Sequence, residues 1–402
     1  MRKDWTAVTL GDLTSSTRPI CYGVLKPGPF VANGIPLVRI TDMNRSLLGP
    51  EGMHRISVEL DYEFRRSKLR GNEVLLSIQG TVGRVSRCAP ELVGANISRT
   101  IALIDCDKRV MNEFVAYFLE SLAADNAFNS SGSTRASLNI SEIRLIEVPV
   151  PPLIEQERIV DLLTSVVAYI DELQQLLQSA IAARDAVLAD LLSASDDDWT
   201  QTTLGEVAKC AGGTAFPHSF QGGDDGIPFV KVSDMNEIGN ERFLVSANNY
   251  VSRDAAKKLG ARVWPKGTVV FAKVGAALLT EKRRVLSTET IFDNNVMGLV
   301  PSGLIDSLFL YFFMETIKLG DYVQPGAVPS VNNGIVSEIS ISLPSLAEQK
   351  RIVGVVLSMD DMIQSTKQAI TDAKALRSGL LSDLLSGNHE IPASYDSVMG
   401  AA

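Results

Sequence analysis

From Ile159 onward, apolar side chains recur at steps of three and four: Ile159, Leu162, Val166, Ile170, Leu173, Leu177 and Ala180, then Val187 and Leu191 beyond the polar Arg184. That spacing predicts one face of a long helix, and sustained over about four heptads it is the seam of a coiled coil. A second stripe, displaced by 193 residues, runs Ile352, Val355, Met359, Ile363, Thr366, Ile370, Ala373, Arg377, Leu380 and Leu384, with even the interrupting arginine matched. Two such seams in one chain pair most simply with each other, as an antiparallel coiled coil.

Ahead of each stripe the pattern is shorter and mixed. Strand-like runs at residues 36–40, 74–78, 101–104 and 143–149 are broken by Gly, Asn, Ser and Pro clusters, and residues 111–124 place Phe114, Tyr117, Phe118 and Leu122 on one helical face. The order returns at residues 228–232, 268–274 and 297–300, a helix over 307–317, and 339–343. Few helices among many strands predict an α+β globule, not the regular alternation of a doubly wound sheet.

The letters repeat as well. IPLVRITDMN (residues 35–44) returns as IPFVKVSDMN (227–236), PPLIEQERIV (151–160) as PSLAEQKRIV (344–353), and RDAVLADLLS (184–193) as RSGLLSDLLS (377–386). This is a tandem duplication of globule plus helix. The expected boundaries are 1–152 for the first globule, 153–194 for its helix, 195–343 for the second globule, 344–387 for its helix, and 388–402 as a flexible tail. If the helices pair compactly, the molecule is a dumbbell with a pseudo-twofold axis across its stalk. At 1.5 Å per residue, roughly 35 helical residues make a rod of about 50 Å, near one and a half turns of B-DNA. A solvated helical hairpin that only spaces two domains is the alternative.

Composition adds limits. With 45% hydrophobic residues and a mean hydropathy of +0.11, the chain has the apolar content for real cores, and disorder is not expected. No apolar run approaches the roughly 18 residues of a membrane span, and the opening MRKDWTAVTLGD is too polar for a secretory signal, so a cytoplasmic location is expected. Cys21, Cys88, Cys106 and Cys210 lie far apart, and His54, His218 and His389 form no cluster at metal spacing, so reduced thiols and no metal are expected.

The net charge of −9 is unevenly spread. Residues 151–198 carry 2 basic and 10 acidic side chains, whereas residues 1–150 carry 18 and 16. The globules are near neutral, with basic runs at Arg65, Arg66, Lys68 and Arg70 and at Lys282, Arg283 and Arg284. A protein that binds nucleic acid alone usually shows a basic footprint, because neutralising phosphates releases counterions. Either this chain does not bind nucleic acid, or a partner supplies much of the phosphate contact.

No catalytic site assembles. Gly80-Thr81-Val82-Gly83 follows a strand but lacks the Gly-Lys-Ser/Thr ending and helix of a nucleotide loop, so it reads as a tight turn aimed at a ligand, with Lys273-Val274-Gly275 in the comparable place. No histidine has a nucleophile and an orienting acid beside it. The candidate nucleic-acid contacts are Arg65, Arg66, Lys68, Arg70, Gly80, Gly83, Arg84, Arg135, Lys273, Lys282, Arg283 and Arg284. Solvated charge is the competing reading of the basic runs, and a plain connector that of residues 130–135.

Taken together, these blocks resemble the specificity subunit of type I restriction-modification systems over essentially the whole chain. The match rests on Trp-Thr-x-x-x-Leu-Gly-Asp/Glu (residues 5–12 and 199–206), Ile-Pro-x-Val-x-x-x-Asp-Met-Asn, the strand with its Gly-Thr-Val-Gly turn, and Pro-x-Leu-x-Glu-Gln-x-Arg-Ile-Val leading into a long helix. Their order, occurring twice, is specific. The resemblance implies that each globule is a target recognition domain reading one half of a split, asymmetric sequence in double-stranded DNA. The helices would set the unread gap and dock two modification (methyltransferase) subunits. Those partners would carry S-adenosylmethionine and methylate adenine N6, and a restriction subunit would translocate and cleave; this chain would hold no cofactor and catalyse nothing. The second copy departs from the pattern at Gly275-Ala276-Ala277-Leu278, which leaves the equivalence of that turn open. A self-contained DNA methyltransferase and a duplicated adaptor between protein partners are the other classes.

Overall fold

The computed structural model describes residues 5–43, 47–48, 52–124, 127–129, 137–193, 199–324, 326, 328–387, 389–392 and 394–399. The chain divides into two compact units: unit 1 is Met1–Gln175 with Gln368–Ala402, and unit 2 is Leu176–Lys367. The long helices therefore do not stand apart as domains of their own. Each contributes one end to each unit.

In unit 1 a five-stranded sheet runs in the order Cys21–Tyr22, Ile101–Ile104, Val74–Ser77, Val85–Cys88, Leu47–Leu48. Its two central strands are buried along their whole length, and strand periodicity sends alternate side chains to opposite faces. Val74, Leu76, Ala102 and Ile104 face the helix Asn112–Ala124 through Phe114, Val115 and Leu119. Leu75, Ile101 and Leu103 face the other way, onto Val38, Met43, Leu69, Leu92 and Ile97. A three-stranded sheet, His54–Ile56, Ile35–Val38, Asn96–Ile97, covers that side.

Unit 2 repeats the plan with the order Ala208–Gly212, Val296–Pro301, Val269–Ala272, Arg283–Leu286, Phe243–Leu244. Val269, Phe271, Met297 and Leu299 face the helix Ser307–Thr316. Val270 and Val296 face Val230, Met235, Trp264 and Phe292. One expected strand is corrected. Residues 140–144 form a short helix, because Asn139 and Glu142 cap each other reciprocally at its start, and the strand is confined to Glu147–Val150.

That last strand closes each globule. Thr6–Thr9 pairs antiparallel with Glu147–Val150, and Thr200–Thr203 with Ser340–Leu343, so the chain enters each long helix from a fixed point. The helices span Leu153–Ser193 and Leu346–Leu385. In unit 1 the beginning of the first and the end of the second share one core, Ile159, Val160 and Leu163 with Leu381, Leu384 and Leu385. In unit 2 the end of the first, Leu188, Leu191 and Leu192, shares a core with Ile352, Val353 and Val356 at the start of the second. Beginning meets end in each case, which is antiparallel pairing.

Of the expected seam, Ile159, Ile170, Ile352, Ile363 and Ile370 are all buried. Leu162, Val166, Leu173, Leu177, Val355, Met359 and Leu380 are only half-buried. Leu163 and Val356, outside the expected seam, have no exposure at all, because each turns to its own globule. Residues 389–399, placed in an expected flexible tail, include the helix Tyr395–Met399; Ile391 is buried in the unit 1 core and Asp396 pairs with Arg158.

The repeated Glu-Gln pair opens both long helices, and its glutamine explains the repetition. Buried Gln156 donates to the carbonyl oxygens of Pro151 (2.8 Å) and Arg109 (3.2 Å) and accepts from the Met111 N–H (2.8 Å). Buried Gln349 donates to Pro344 (2.9 Å) and Leu304 (3.0 Å) and accepts from the Asp306 N–H (2.7 Å). One amide thus ties the helix to the loop before the globule's own helix. Removing it leaves buried backbone groups unpaired, so Gln156→Ala and Gln349→Ala are each expected to cost about 2–3 kcal/mol in denaturant unfolding. Gln178→Ala, exposed in the first helix, is the control, and equal losses from all three would refute this role.

The interrupting arginines have a reason too. Arg377 pairs with Glu120 on the unit 1 helix, and Arg184 pairs with Glu315 (2.6 Å) on the unit 2 helix and with Asp360 (3.0 Å). Both interrupt an apolar seam to reach a carboxylate on a globule.

Candidate nucleic-acid interface

The Asp-Met-Asn blocks build a local scaffold in each unit. Asp42 accepts from the backbone N–H of Arg39 at 2.8 Å, and Asp234 from that of Lys231 at 2.6 Å, closing the one-turn helices Ile40–Asp42 and Val232–Asn236. Met43 and Met235 are buried beneath them. The aspartates therefore shape backbone and the methionines anchor it, while Arg39, paired with Asp42 at 3.4 Å, and Lys231, donating to Gln221 at 3.2 Å, place a half-buried cation at the same point of each block. Neither was a sequence candidate, although a basic residue at that place in both blocks was a visible signal.

Beside each scaffold lies the turn after the central strand. Gly80 and Gly275 hold φ of +80° and +74°, left-handed geometry that favours glycine, at the same point of the two folds. The equivalence left open at this turn is thus present at its glycine. Beyond it the loops differ: the return strand starts at Val85 in unit 1 and at Arg283 in unit 2, five and eight residues after the glycine. In unit 1 the buried Ser77 hydroxyl accepts from the Arg84 N–H at 2.8 Å, and Gly83 lies under Phe128, where a Cβ would come within 3.0 Å of the ring.

Sheet register makes Arg84 and Lys282 counterparts, each just before the return strand. Arg84 reaches the Ile40 carbonyl at 3.5 Å, and Lys282 donates to Asn236. Each unit therefore suspends one cation over its one-turn helix. In unit 2 these groups border a small cavity of about 60 Å³ lined by Met235, Asn236, Thr280 and Lys282. Such a surface offers charged and amide donors on a rigid backbone, the equipment for phosphate contact and base-edge reading.

The other candidates fall elsewhere. Arg283 is corrected: it is 2% exposed and binds Glu281 at 2.6 Å and the Ile317 carbonyl, so it cannot reach a ligand. Arg284 is half-buried and donates to the Arg283 and Met235 carbonyls; burial pulls its guanidinium below its ordinary pKa, against Tyr311, Glu241 and Glu315. The Lys273 ammonium lies against Gly212, and its position corresponds to apolar Ile78 in unit 1. Lys68 is paired with Asp61 at 2.7 Å, while Arg65, Arg66 and Arg70 are exposed at the far end of the sheet from Gly80. Arg135 lies outside the described residues, as does the whole of the 130–135 loop.

Among the described residues no group of three or more His, Cys, Asp and Glu is placed to hold a metal. All four cysteines are free. Burial pushes the Cys106 thiol up to about 12 and the Cys210 thiol up to about 11, so neither is a ready thiolate at neutral pH. No helix among the described residues is long and apolar enough to cross a membrane.

Comparison with known proteins places this architecture. The sequence model described as "Type I restriction modification DNA specificity domain" matches residues 2–182 and again 196–374. The specificity subunit of the type I restriction enzyme EcoBI from Escherichia coli is 30% identical over 194 residues, 48% of this chain and 41% of that protein. The MjaIX specificity subunit of Methanocaldococcus jannaschii is 24% identical over 182 residues, 42% of this chain and 40% of that protein. The matches thus span about two fifths of these relatives. In fold, a chain from a type I restriction-modification complex assembly superposes with a TM-score of 0.65 at 16% identity, covering 96% of this chain and 98% of that one. The HsdS subunit from Thermoanaerobacter tengcongensis does so at 0.55 and 17%, covering 97% and 98%. With the domain matched twice over most of its length, and with a globule and long helix built twice in the same way, this chain belongs to the type I restriction-modification DNA specificity family.

Proposed function

We propose that this chain is the non-catalytic DNA specificity subunit of a type I restriction-modification complex, each globule reading one half of a bipartite, asymmetric duplex target. The observation that carries the reading is the repeated placement of Arg84 and Lys282 over the same one-turn helix, beside a glycine turn of the same geometry. Two readers of one plan and different loops suit two half-sites of different sequence. The near-neutral globules leave phosphate neutralisation to partners. Those partners are two modification subunits, which carry S-adenosylmethionine and transfer its methyl group to adenine N6, and a restriction subunit, all in the cytoplasm. The long helices serve as ruler and docking surface, since 41 residues of continuous helix extend about 60 Å.

The test is competitive binding of the chain with its modification partner to duplexes. Scrambling either half-site is expected to cost at least about tenfold in affinity, about 1.4 kcal/mol, and changing the bases of the gap to cost nothing. Arg84→Ala and Lys282→Ala are each expected to weaken one half-site only. A contiguous target with no unread gap overturns the reading. Binding of S-adenosylmethionine by the chain alone favours a self-contained methyltransferase, and partner binding without sequence-selective DNA binding favours an adaptor.

A further inference from the structure

A cleft in unit 1 is strongly basic and lies away from the glycine-turn surface built in each unit. It has a volume of about 820 Å³ and is lined by Arg18, Arg65, Arg66, Lys68, Arg70 and Arg144, with no carboxylate in its wall. Arg18 is neutralised by Glu73 (2.7 Å) and Asp105 (2.6 Å), and Lys68 by Asp61. Among the described residues the other four arginines have no carboxylate within ion-pair distance. Like charges gathered in a concavity repel one another, and a bound anion relieves that repulsion.

Its position separates it from the reading surface. The chain passes through Leu69 and Arg70 into the strand Val74–Ser77 and leaves it at Gly80, so the cleft and the glycine turn occupy opposite ends of that strand. Among the described residues unit 2 does not repeat these cations. The helices Val58–Glu63 and Arg253–Lys258 correspond, and Leu69 and Trp264 enter their sheets through the same backbone bond. On that register Arg65, Arg66, Lys68 and Arg70 become Gly260, Ala261, Val263 and Pro265. Arg144 becomes Ser337, each packed over the glycine of its Leu-Gly pair. Arg18 sits in a longer segment: six residues separate Thr14 from Cys21, where two separate Ala208 from Ala211. A feature needed for the duplicated reading would be expected in both units, and every cation of this cleft is confined to one.

We propose that this cleft is a phosphate-binding site of unit 1, distinct from the surface common to both units. Arginine forks suit phosphate oxygens, because two parallel N–H groups meet two oxygens at once. The ligand is a phosphate-bearing anion, either a free phosphorylated small molecule or a backbone phosphate of nucleic acid outside the target. The site stands independently of the proposed reading of DNA by the glycine turns.

The experiment is calorimetry of the full chain with inorganic tripolyphosphate at low salt. Saturable one-to-one binding is expected, weakened at least about tenfold in the Arg66→Ala/Arg70→Ala double variant and unchanged in Arg84→Ala. On the wild-type chain, tripolyphosphate is expected to slow phenylglyoxal modification of Arg66 and Arg70 and not of Arg84, read by peptide mass; this arm decides the matter even if the double variant folds poorly. A duplex without target sequence that displaces tripolyphosphate assigns the natural phosphate to nucleic acid, and one that does not assigns it to a free ligand; both keep the site. Absence of saturable binding, or binding and modification indifferent to the two arginines, overturns it. If target selection survives in the double variant while tripolyphosphate binding is lost, the cleft and the reading surface are separate.

Discussion

Leu163→Asp and Val356→Asp are each expected to unfold the unit that holds them. These residues stand 193 positions apart, at the same place in the two copies, and both have no exposure. Leu163 packs among Leu10, Phe114 and Leu384 in one core, and Val356 among Leu204, Phe309 and Leu188 in the other. A carboxylate there loses its hydration and gains no partner, and the apolar contacts of the native side chain go with it. The combined cost is about 4–5 kcal/mol or more, a large share of a domain's total stability. Leu173→Asp, in a half-buried seam position, is expected to cost less, about 1–3 kcal/mol, and Gln174→Asp, exposed one residue further on, close to nothing. Thermal unfolding and co-purification with the modification partner measure the series. A Leu163→Asp chain as stable as Gln174→Asp would mean that the helix end does not belong to the core.

That ranking shows where the sequence was legible and where it stopped. The three-and-four spacing found the helices, the pairing and most of the buried stripe, because a long amphipathic helix writes its period openly. It did not separate the two apolar sides that each helix end carries. Near Leu163 the helix touches both a globule and the other helix, and a single stripe is the wrong template for a residue buried from two directions. The named runs at residues 36–40, 74–78, 101–104, 228–232, 268–274, 297–300 and 339–343 each overlap a strand, but in the run 143–149 residues 143–144 end a capped short helix, and strands such as Thr6–Thr9, Val85–Cys88 and Arg283–Leu286 carry too short a pattern to be named from sequence.

The basic residues were harder. Lys282, Arg283 and Arg284 are neighbours in sequence, yet Arg283 points inward on the same side as Val285 while Lys282 reaches the adjacent scaffold. Strand alternation contains that information once the strand start is known, since Val285 lies two residues on and is buried. The roles of Glu120 and Glu315 were not legible at all. They depend on which helix returns past which globule, a fact of tertiary structure.

The same returning helix makes a fragment of residues 1–194 expected to dimerise, and with its partner to modify a palindrome. Truncation removes Leu381, Leu384 and Leu385 from the unit 1 core, together with Arg377 and its bond to Glu120. Exposing three such leucine sites costs roughly 1.5–3 kcal/mol each, so an isolated monomer loses much of its stability. The fragment nevertheless carries replacements. Leu188, Leu191 and Leu192 stand 193 residues before the lost leucines and Arg184 the same distance before Arg377. In unit 2 they fill the corresponding core and pair with Glu315, the counterpart of Glu120. A second copy, antiparallel to the first, can therefore supply to each unit 1 what the second long helix supplies in the full chain. The contact is isologous and closes as a twofold dimer, whose identical readers require inverted, identical half-sites. Two mismatches oppose it: Leu173 takes the place of Thr366, and the packing of Ile391 and the Arg158–Asp396 pair are lost. Light scattering reads the mass, and methylation mapping with the modification partner reads the site. A folded, strictly monomeric fragment that still directs modification to the original asymmetric target would show that unit 1 does not need the returning helix.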